Sequence, residues 1–191
     1  MATIVMSGPQ NTTLDGVVQD PDGAEGWEHG GWFVEHGGAD LAPWGQVALE
    51  EAEAARAWLL GRRSYEFFSK RWDSRDGALA DRLRAIPKYV VSSTLTGPAW
   101  ANTTVMAGDA IRAVTQLKEE IDGEIIVPGS HRLGRALMAH GLVDELRVVV
   151  FPVVLGAGER FFAEGGGAKP MRLTDTRAIG DGLVMLTYRL D

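Results

Sequence analysis

The sequence predicts an α/β fold, a mostly parallel central sheet with helices on both faces and an antiparallel pair at its C-terminal edge. Three observations carry this. Short apolar runs alternate with stretches of helix formers through most of the chain, the pattern of strands joined by right-handed crossover helices. Two strand-like stretches near the C-terminus flank Gly180-Asp181-Gly182, a hairpin signal. Finally, three apolar runs break into small, hydroxylated or basic residues: Leu59-Leu60-Gly61-Arg62-Arg63-Ser64-Tyr65, Tyr89-Val90-Val91-Ser92-Ser93-Thr94-Leu95 and Ile125-Ile126-Val127-Pro128-Gly129-Ser130-His131-Arg132-Leu133. Strand ends of this kind offer N–H groups, hydroxyls and guanidinium forks to anions.

Taken in order, residues 3–6 form a short strand followed by a polar loop and Thr13-Leu14-Asp15-Gly16-Val17-Val18. Residues 19–45, dense in Gly, Asp and Trp, have no sustained period and read as a long excursion over a cleft. Residues 47–56 are strong helix formers, and residues 57–60 a buried strand ending at Gly61. Residues 62–70 and 78–85 read as helices, the second ended before Pro87. Residues 88–91 return as a strand. Asp109 is placed to cap a helix through Ile121, with Ile111, Val114, Leu117 and Ile121 on one face. Asp122-Gly123 ends it, residues 124–127 form a strand, and Ser130 caps a helix to His140 closed by Gly141. Residues 145–151 are the next strand, and 171–178 with 183–190 the antiparallel edge.

The chain of 191 residues fits one domain, residues 1–191, with no repeat, low-complexity tract or linker. Its 19 Lys plus Arg against 26 Asp plus Glu give a net charge of -7, which repels a polyanion, so nucleic acid is not an expected partner. Cysteine is absent, which removes disulfides, thiolate nucleophiles and Cys-based zinc sites. The opening Met1-Ala2-Thr3-Ile4-Val5-Met6-Ser7 lacks a basic segment followed by a long apolar one, and no apolar run is long enough to span a bilayer. A cytoplasmic protein without membrane contact is expected.

Gly61, Arg62, Arg63 and Ser64 stand where a buried strand meets a helix start, a place suited to phosphate because glycine permits close approach and the helix end favours anions. A solvated basic turn is the plainer alternative. Ser92, Ser93 and Thr94 follow a strand and carry no acidic side chain to hold a ribose 2'-OH, which favours a 2'-phosphate and hence NADPH over NADH. An ordinary Ser/Thr turn fits equally well. Gly129 and Ser130 precede a helix against which a pyrophosphate can rest, with Leu133 packing beneath, although the spacing is not a Gly-x-Gly-x-x-Gly fingerprint. Trp27, Trp32, Trp44 and Trp72 offer stacking surface for a planar heterocycle, with core packing as the alternative. Glu28, His29, Glu35, His36 and Asp40 lack any organised ligand spacing, so no metal is expected.

Five strings in order, Thr13-Leu14-Asp15-Gly16, Leu60-Gly61-Arg62-Arg63-Ser64-Tyr65-Glu66, Lys88-Tyr89-Val90-Val91-Ser92-Ser93-Thr94-Leu95, Pro128-Gly129-Ser130-His131-Arg132-Leu133 and Gly141-Leu142-Val143-Asp144-Glu145-Leu146 with its continuation Phe151-Pro152-Val153-Val154-Leu155-Gly156-Ala157-Gly158, resemble one family. It is the dihydrofolate-reductase-like domains related to the reductase half of the riboflavin-biosynthesis deaminase-reductase. The resemblance implies a dihydrofolate-reductase-like sheet, NADPH as hydride donor and a homodimer. It assigns Gly61, Arg62, Arg63, Ser64, Ser92, Ser93, Thr94, Gly129, Ser130 and Leu133 to the cofactor. Asp15, beside Gly16, is the candidate catalytic carboxyl, as proton donor or substrate anchor; a plain Asp-Gly turn is its alternative. The expected activity is NADPH-dependent reduction of a small polar heterocyclic or ribosylamino substrate, first of all 5-amino-6-(5-phosphoribosylamino)uracil. Pterin or dihydrofolate reduction, and a non-catalytic dimeric nucleotide-binding protein, are the rivals.

Overall fold

The computed structural model describes residues 1–162 and 167–190. Its elements are β1 (Thr3–Thr13), α1 (Trp32–Gly37), a 3-10 turn (Gly38–Asp40), α2 (Leu41–Ala54), β2 (Ala55–Gly61), α3 (Arg62–Trp72), α4 (Ala78–Ala85), β3 (Lys88–Val91), β4 (Thr103–Met106), α5 (Ala110–Glu120), β5 (Glu124–Ile126), α6 (His131–Ala139), β6 (Glu145–Phe151), β7 (Met171–Ile179) and β8 (Leu183–Leu190). The strands hydrogen-bond in the order β4-β3-β2-β5-β1-β6-β8-β7. β1 with β5, β2 with β5, β2 with β3 and β3 with β4 are parallel, and β7 with β8 is antiparallel. This is the mostly parallel sheet with an antiparallel edge that the sequence predicts. Among the described residues no helix is long and apolar enough to cross a membrane.

By internal packing the chain divides into two compact units, Met1–Gly8 with Ala48–Glu145 and Pro9–Val47 with Leu146–Asp191. In the first, β2 is buried along almost its whole length, as a strand covered on both faces must be. Val5, Trp58, Leu60, Val90 and Ile126 join Tyr65, Leu83, Ile86 and Trp100 in one core. The next residue after Val5 points the other way. Met6 meets α6 at Gly134, where any side chain would collide with the methionine. Helices therefore cover both faces of this part of the sheet. Asp109 caps α5 as predicted, its Oδ1 accepting from Ile111 N–H at 3.0 Å and Arg112 N–H at 3.2 Å.

Lys88 is fully buried in the same core. Its Nζ donates to the carbonyls of Ile86, Ala101 and Arg84 at 2.8, 2.9 and 3.2 Å and lies 4.5 Å from the centre of the Trp100 ring. Burial lowers its pKa from 10.5 to about 8, against the opposing pull of Asp73.

The second unit packs Trp32, Val47, Val149, Phe151, Ile179, Leu183 and Met185 together. Its hairpin turn is held by Asp40, whose carboxylate accepts from Asp181 N–H at 3.0 Å and Gly182 N–H at 2.8 Å. Asp40 thus serves the turn between β7 and β8.

The structure departs from the sequence reading in three places. The polar loop expected after residue 6 is strand: β1 continues to Thr13 because Ser7, Gln10, Thr12 and Thr13 are buried. The stretch 19–45 is not uniformly irregular, since it holds α1, the 3-10 turn and the start of α2; glycines at 37, 38 and 45 hide the helical period. β4 was not expected, being four residues long with no residue fully buried.

Candidate functional site

The three predicted strand ends belong to the first unit. β2 stops at Gly61 and α3 begins at Arg62, while α6 begins after Gly129 and Ser130, whose φ values of 55° and 46° are both left-handed. A left-handed serine is disfavoured, and such a residue persists only where its surroundings hold it. Ser130 is held from both sides: its N–H donates to Ser64 Oγ at 2.8 Å, and its Oγ accepts from Gly61 N–H at 3.0 Å. Ser130 occupies the capping position of α6, but its side chain makes no cap bond there. The predicted helix cap is corrected on this point, because the hydroxyl is committed to Gly61.

Two helix starts are thereby tied together by a pair of serines. Gly129 is required where it stands, since a Cβ would lie 3.2 Å from Ser64 Oγ on a left-handed backbone. Gly61 is different. Its φ is -79°, and a Cβ would make only ordinary contacts, 3.9 Å from Ser130 Oγ and 4.0 Å from Leu133 Cβ. The fold does not need glycine at 61, so the space beside the α3 start is available to a ligand.

Arg62 joins the third strand end to this pair. Its Nη1 donates to Thr94 Oγ1 at 2.6 Å while its Nε donates to Glu66 Oε1 at 2.7 Å. Arg63 is exposed and has no side-chain partner among the described residues. Ser92 Oγ accepts from Thr94 N–H at 3.2 Å and Leu95 N–H at 3.0 Å, so it forms the Ser turn that was its plainer reading and still has its own proton to donate. Ser93 and Thr94 are exposed. The arrangement is rich in donors: backbone amides at two helix starts, of which those of Gly61 and Ser130 are bonded to the serines, two guanidiniums and several hydroxyls. Such a surface has the chemistry that suits an anion.

Asp15 lies in the second unit. Its Oδ1 accepts from Thr13 Oγ1 at 2.6 Å and Leu155 N–H at 3.3 Å, and its Oδ2 from Gly156 N–H at 2.9 Å, with Arg160 Nη2 at 3.8 Å. Partial burial raises its pKa, but the hydrogen bonds from Thr13, Gly156 and Leu155 outweigh that and hold the carboxyl below its usual 3.8. Near neutral pH it is an ionised acceptor.

Two of the tryptophans also have partners in this unit. Trp32 Nε1 donates to Gln19 O and Trp44 Nε1 to Asn11 Oδ1, both at 2.8 Å. In the first unit Trp72 packs against the core around Trp58.

Sequence reasoning missed Glu51. This carboxylate is buried on α2 and accepts Ser7 Oγ, at 2.7 and 2.5 Å from its two oxygens, and Gly8 N–H at 3.1 Å. The signal was present: Val47, Ala48 and Ala52 are apolar at helical spacing, and position 51 falls on their stripe.

Comparison with known proteins follows the same lines. Residues 10–185 match the RibD C-terminal domain family. The structure of a candidate riboflavin biosynthesis protein from Shewanella sp. PV-4 superposes with a TM-score of 0.73 at 22% identity, covering 100% of this chain and 99% of that one. A diaminohydroxyphosphoribosylaminopyrimidine deaminase/5-amino-6-(5-phosphoribosylamino)uracil reductase from Thermotoga maritima gives 0.62 at 12% identity, covering 100% of this chain and 56% of the other. Dihydrofolate reductase from Enterococcus faecalis, complexed with NADP(H) and RAB-propyl, gives 0.57 at 14% identity, covering 100% and 96%. The fold is dihydrofolate-reductase-like.

Proposed function

From the premise that this chain belongs to the RibD C-terminal domain family, reductases of the riboflavin pathway, we propose that it is an NADPH-dependent reductase of a small polar heterocyclic or ribosylamino substrate. The leading specific substrate is 5-amino-6-(5-phosphoribosylamino)uracil, named for the Thermotoga relative. The observation that carries the cofactor reading is the serine link between the two helix starts, Gly61 to Ser130 to Ser64, with Arg62 reaching Thr94 beside it. It supports NADPH held by Gly61, Arg62, Arg63, Ser64, Ser92, Ser93, Thr94, Gly129 and Ser130, over Leu133.

Bound NADPH supplies a hydride. The chain's own part is binding and orientation. The Gly129 amide and the first turn of α6 suit a pyrophosphate, and Arg62 with Ser93 and Thr94 suits a 2'-phosphate. Asp15, kept ionised by its hydrogen bonds, is suited to anchor a donor group of the substrate, and solvent then delivers the proton. The exposed run of β7 from Arg172 to Ala178 at the sheet edge favours a second copy of this chain as partner, because natural proteins seldom leave such an edge open. We place the protein in the cytoplasm, in keeping with its cysteine-free chain.

The test is isothermal titration with NADPH and NADH, paired with turnover on aminouracil and dihydropterin substrates. Arg62→Ala is expected to weaken NADPH by about tenfold and NADH by less. Equal loss for both removes the 2'-phosphate from Arg62. Cofactor binding without turnover on any substrate favours the non-catalytic reading, and light scattering that reports a monomer removes the dimer.

A further inference from the structure

The Glu51 contact lies outside every residue assigned so far, and it belongs to the first unit. Ser7 is fully buried and Glu51 is 7% exposed. Burying a carboxylate is a poor way to stabilise a fold, because desolvation works against it. Here it is bonded to the end of β1. Two donors to it, Ser7 Oγ–H and Gly8 N–H, come from consecutive residues of that strand.

Gly8 in turn bears on the nucleotide loop. Its φ is +104°, and a Cβ there would lie 2.7 Å from Pro128 Cβ and 3.2 Å from Pro128 Cα. One residue earlier in the loop, Val127 N–H donates to Val5 O at 2.8 Å. Contacts therefore run without a gap from Glu51 to Gly8, to Pro128, and through the chain to the left-handed Gly129 and Ser130, which carry the bonds to Ser64 and Gly61. The path ends at the backbone of Gly61 and the hydroxyl of Ser64, and the bond between the Arg62 and Thr94 side chains is not one of its contacts.

We propose that Glu51 is a positioning residue of the nucleotide site, fixing the Ser7-Gly8 end of β1 against Pro128 and thereby aiming the Gly129 amide and the first turn of α6 at the cofactor's pyrophosphate. This rests on the NADPH reading above. What the position requires is a hydrogen-bond acceptor: an apolar isostere takes that acceptor from the buried Ser7 hydroxyl and the half-buried Gly8 N–H, while an amide oxygen still serves.

Isothermal titration of NADP+ and of adenosine 2'-monophosphate separates this role from general support of the fold, since the fragment carries only the phosphate assigned to Arg62 and Thr94. Glu51→Met is expected to weaken NADP+ by about tenfold, the effect of one orphaned donor, and to leave the fragment's affinity unchanged. Glu51→Gln restores most of the loss. Should Glu51→Met not fold, Ser7→Ala carries the test, with a smaller loss for NADP+ and none for the fragment. The inference is overturned if the variant that folds binds NADP+ like the wild type, or loses both ligands in equal proportion. A wild type that binds neither ligand ends the NADPH reading itself and this inference with it; a wild type that binds both, beside a Glu51→Met protein that also binds both, removes Glu51 alone.

Discussion

The strand-end loops of the first unit and the Asp15 turn of the second are both built from small polar residues following a strand, yet their chemistry is opposite. Around Gly61 and Ser130 donors are in excess: helix-start amides, hydroxyls and the exposed guanidinium of Arg63. Around Asp15 the acceptor is already supplied by Thr13, Leu155 and Gly156. The first arrangement gains from an added anion. The second is largely complete without a ligand. On the proposed reading the first side awaits an anion, while Asp15, already holding three donors, has acceptor capacity left for one more from a substrate.

The most severe way to break this contrast is Gly129→Val. A β-branched side chain on a left-handed backbone, crowding Ser64 Oγ, is expected to cost about 2–4 kcal/mol in urea unfolding and to abolish NADP+ binding. Retained affinity would mean that the loop does not hold the cofactor.

Lys88 separates the core of the first unit from its donor-rich edge. In the folded chain Lys88 gives up its proton near pH 8, whereas the unfolded chain holds it to 10.5, so the unfolded state binds more protons between those values. Stability therefore rises with pH across that window, by up to about 3 kcal/mol. In Lys88→Met that rise is expected to vanish from the pH dependence of the urea midpoint, with NADP+ affinity kept within about twofold. A rise that survives the substitution assigns it to another group.

Ser130→Ala removes the acceptor from Gly61 N–H and is expected to weaken NADP+ by about tenfold while lowering stability by about 1 kcal/mol. A loss of stability with no loss of affinity would make the serine link purely structural.

Asp15→Asn is the mildest toward the cofactor and sharpens the contrast most. NADP+ affinity is expected to stay within about twofold, while substrate turnover falls and stability drops by about 1 kcal/mol. Because the folded pKa of Asp15 is depressed, its contribution is present at neutral pH and is lost as pH falls through that folded value. The variant should accordingly lose less stability on acidification than the wild type, as followed by thermal unfolding.

Much of this was legible in the sequence. The alternation of strands and helices, the Asp109 cap and the Gly180-Asp181-Gly182 hairpin come from local chemistry, and local chemistry was enough. The three strand ends were legible as ends, because glycine, serine and arginine break each apolar run, and the structure brings the three together. The partners were not: nothing in the string reveals that Ser130 Oγ serves Gly61, 69 positions away, instead of its own helix. Polar strand residues misled for the same reason. Ser7 reads as loop until a long-range partner, Glu51, satisfies it. Glu51 itself was hidden because a glutamate on a helix is ordinarily a solvated residue.

The central claim is that the donor-rich edge of the first unit holds NADPH. A crystal structure of the protein grown in saturating NADP+ tests it most directly, and the account predicts pyrophosphate density against the Gly129 amide and the first turn of α6 and the 2'-phosphate against Arg62 and Thr94. Density absent from that edge, or the edge filled by the protein's own side chains, would contradict it.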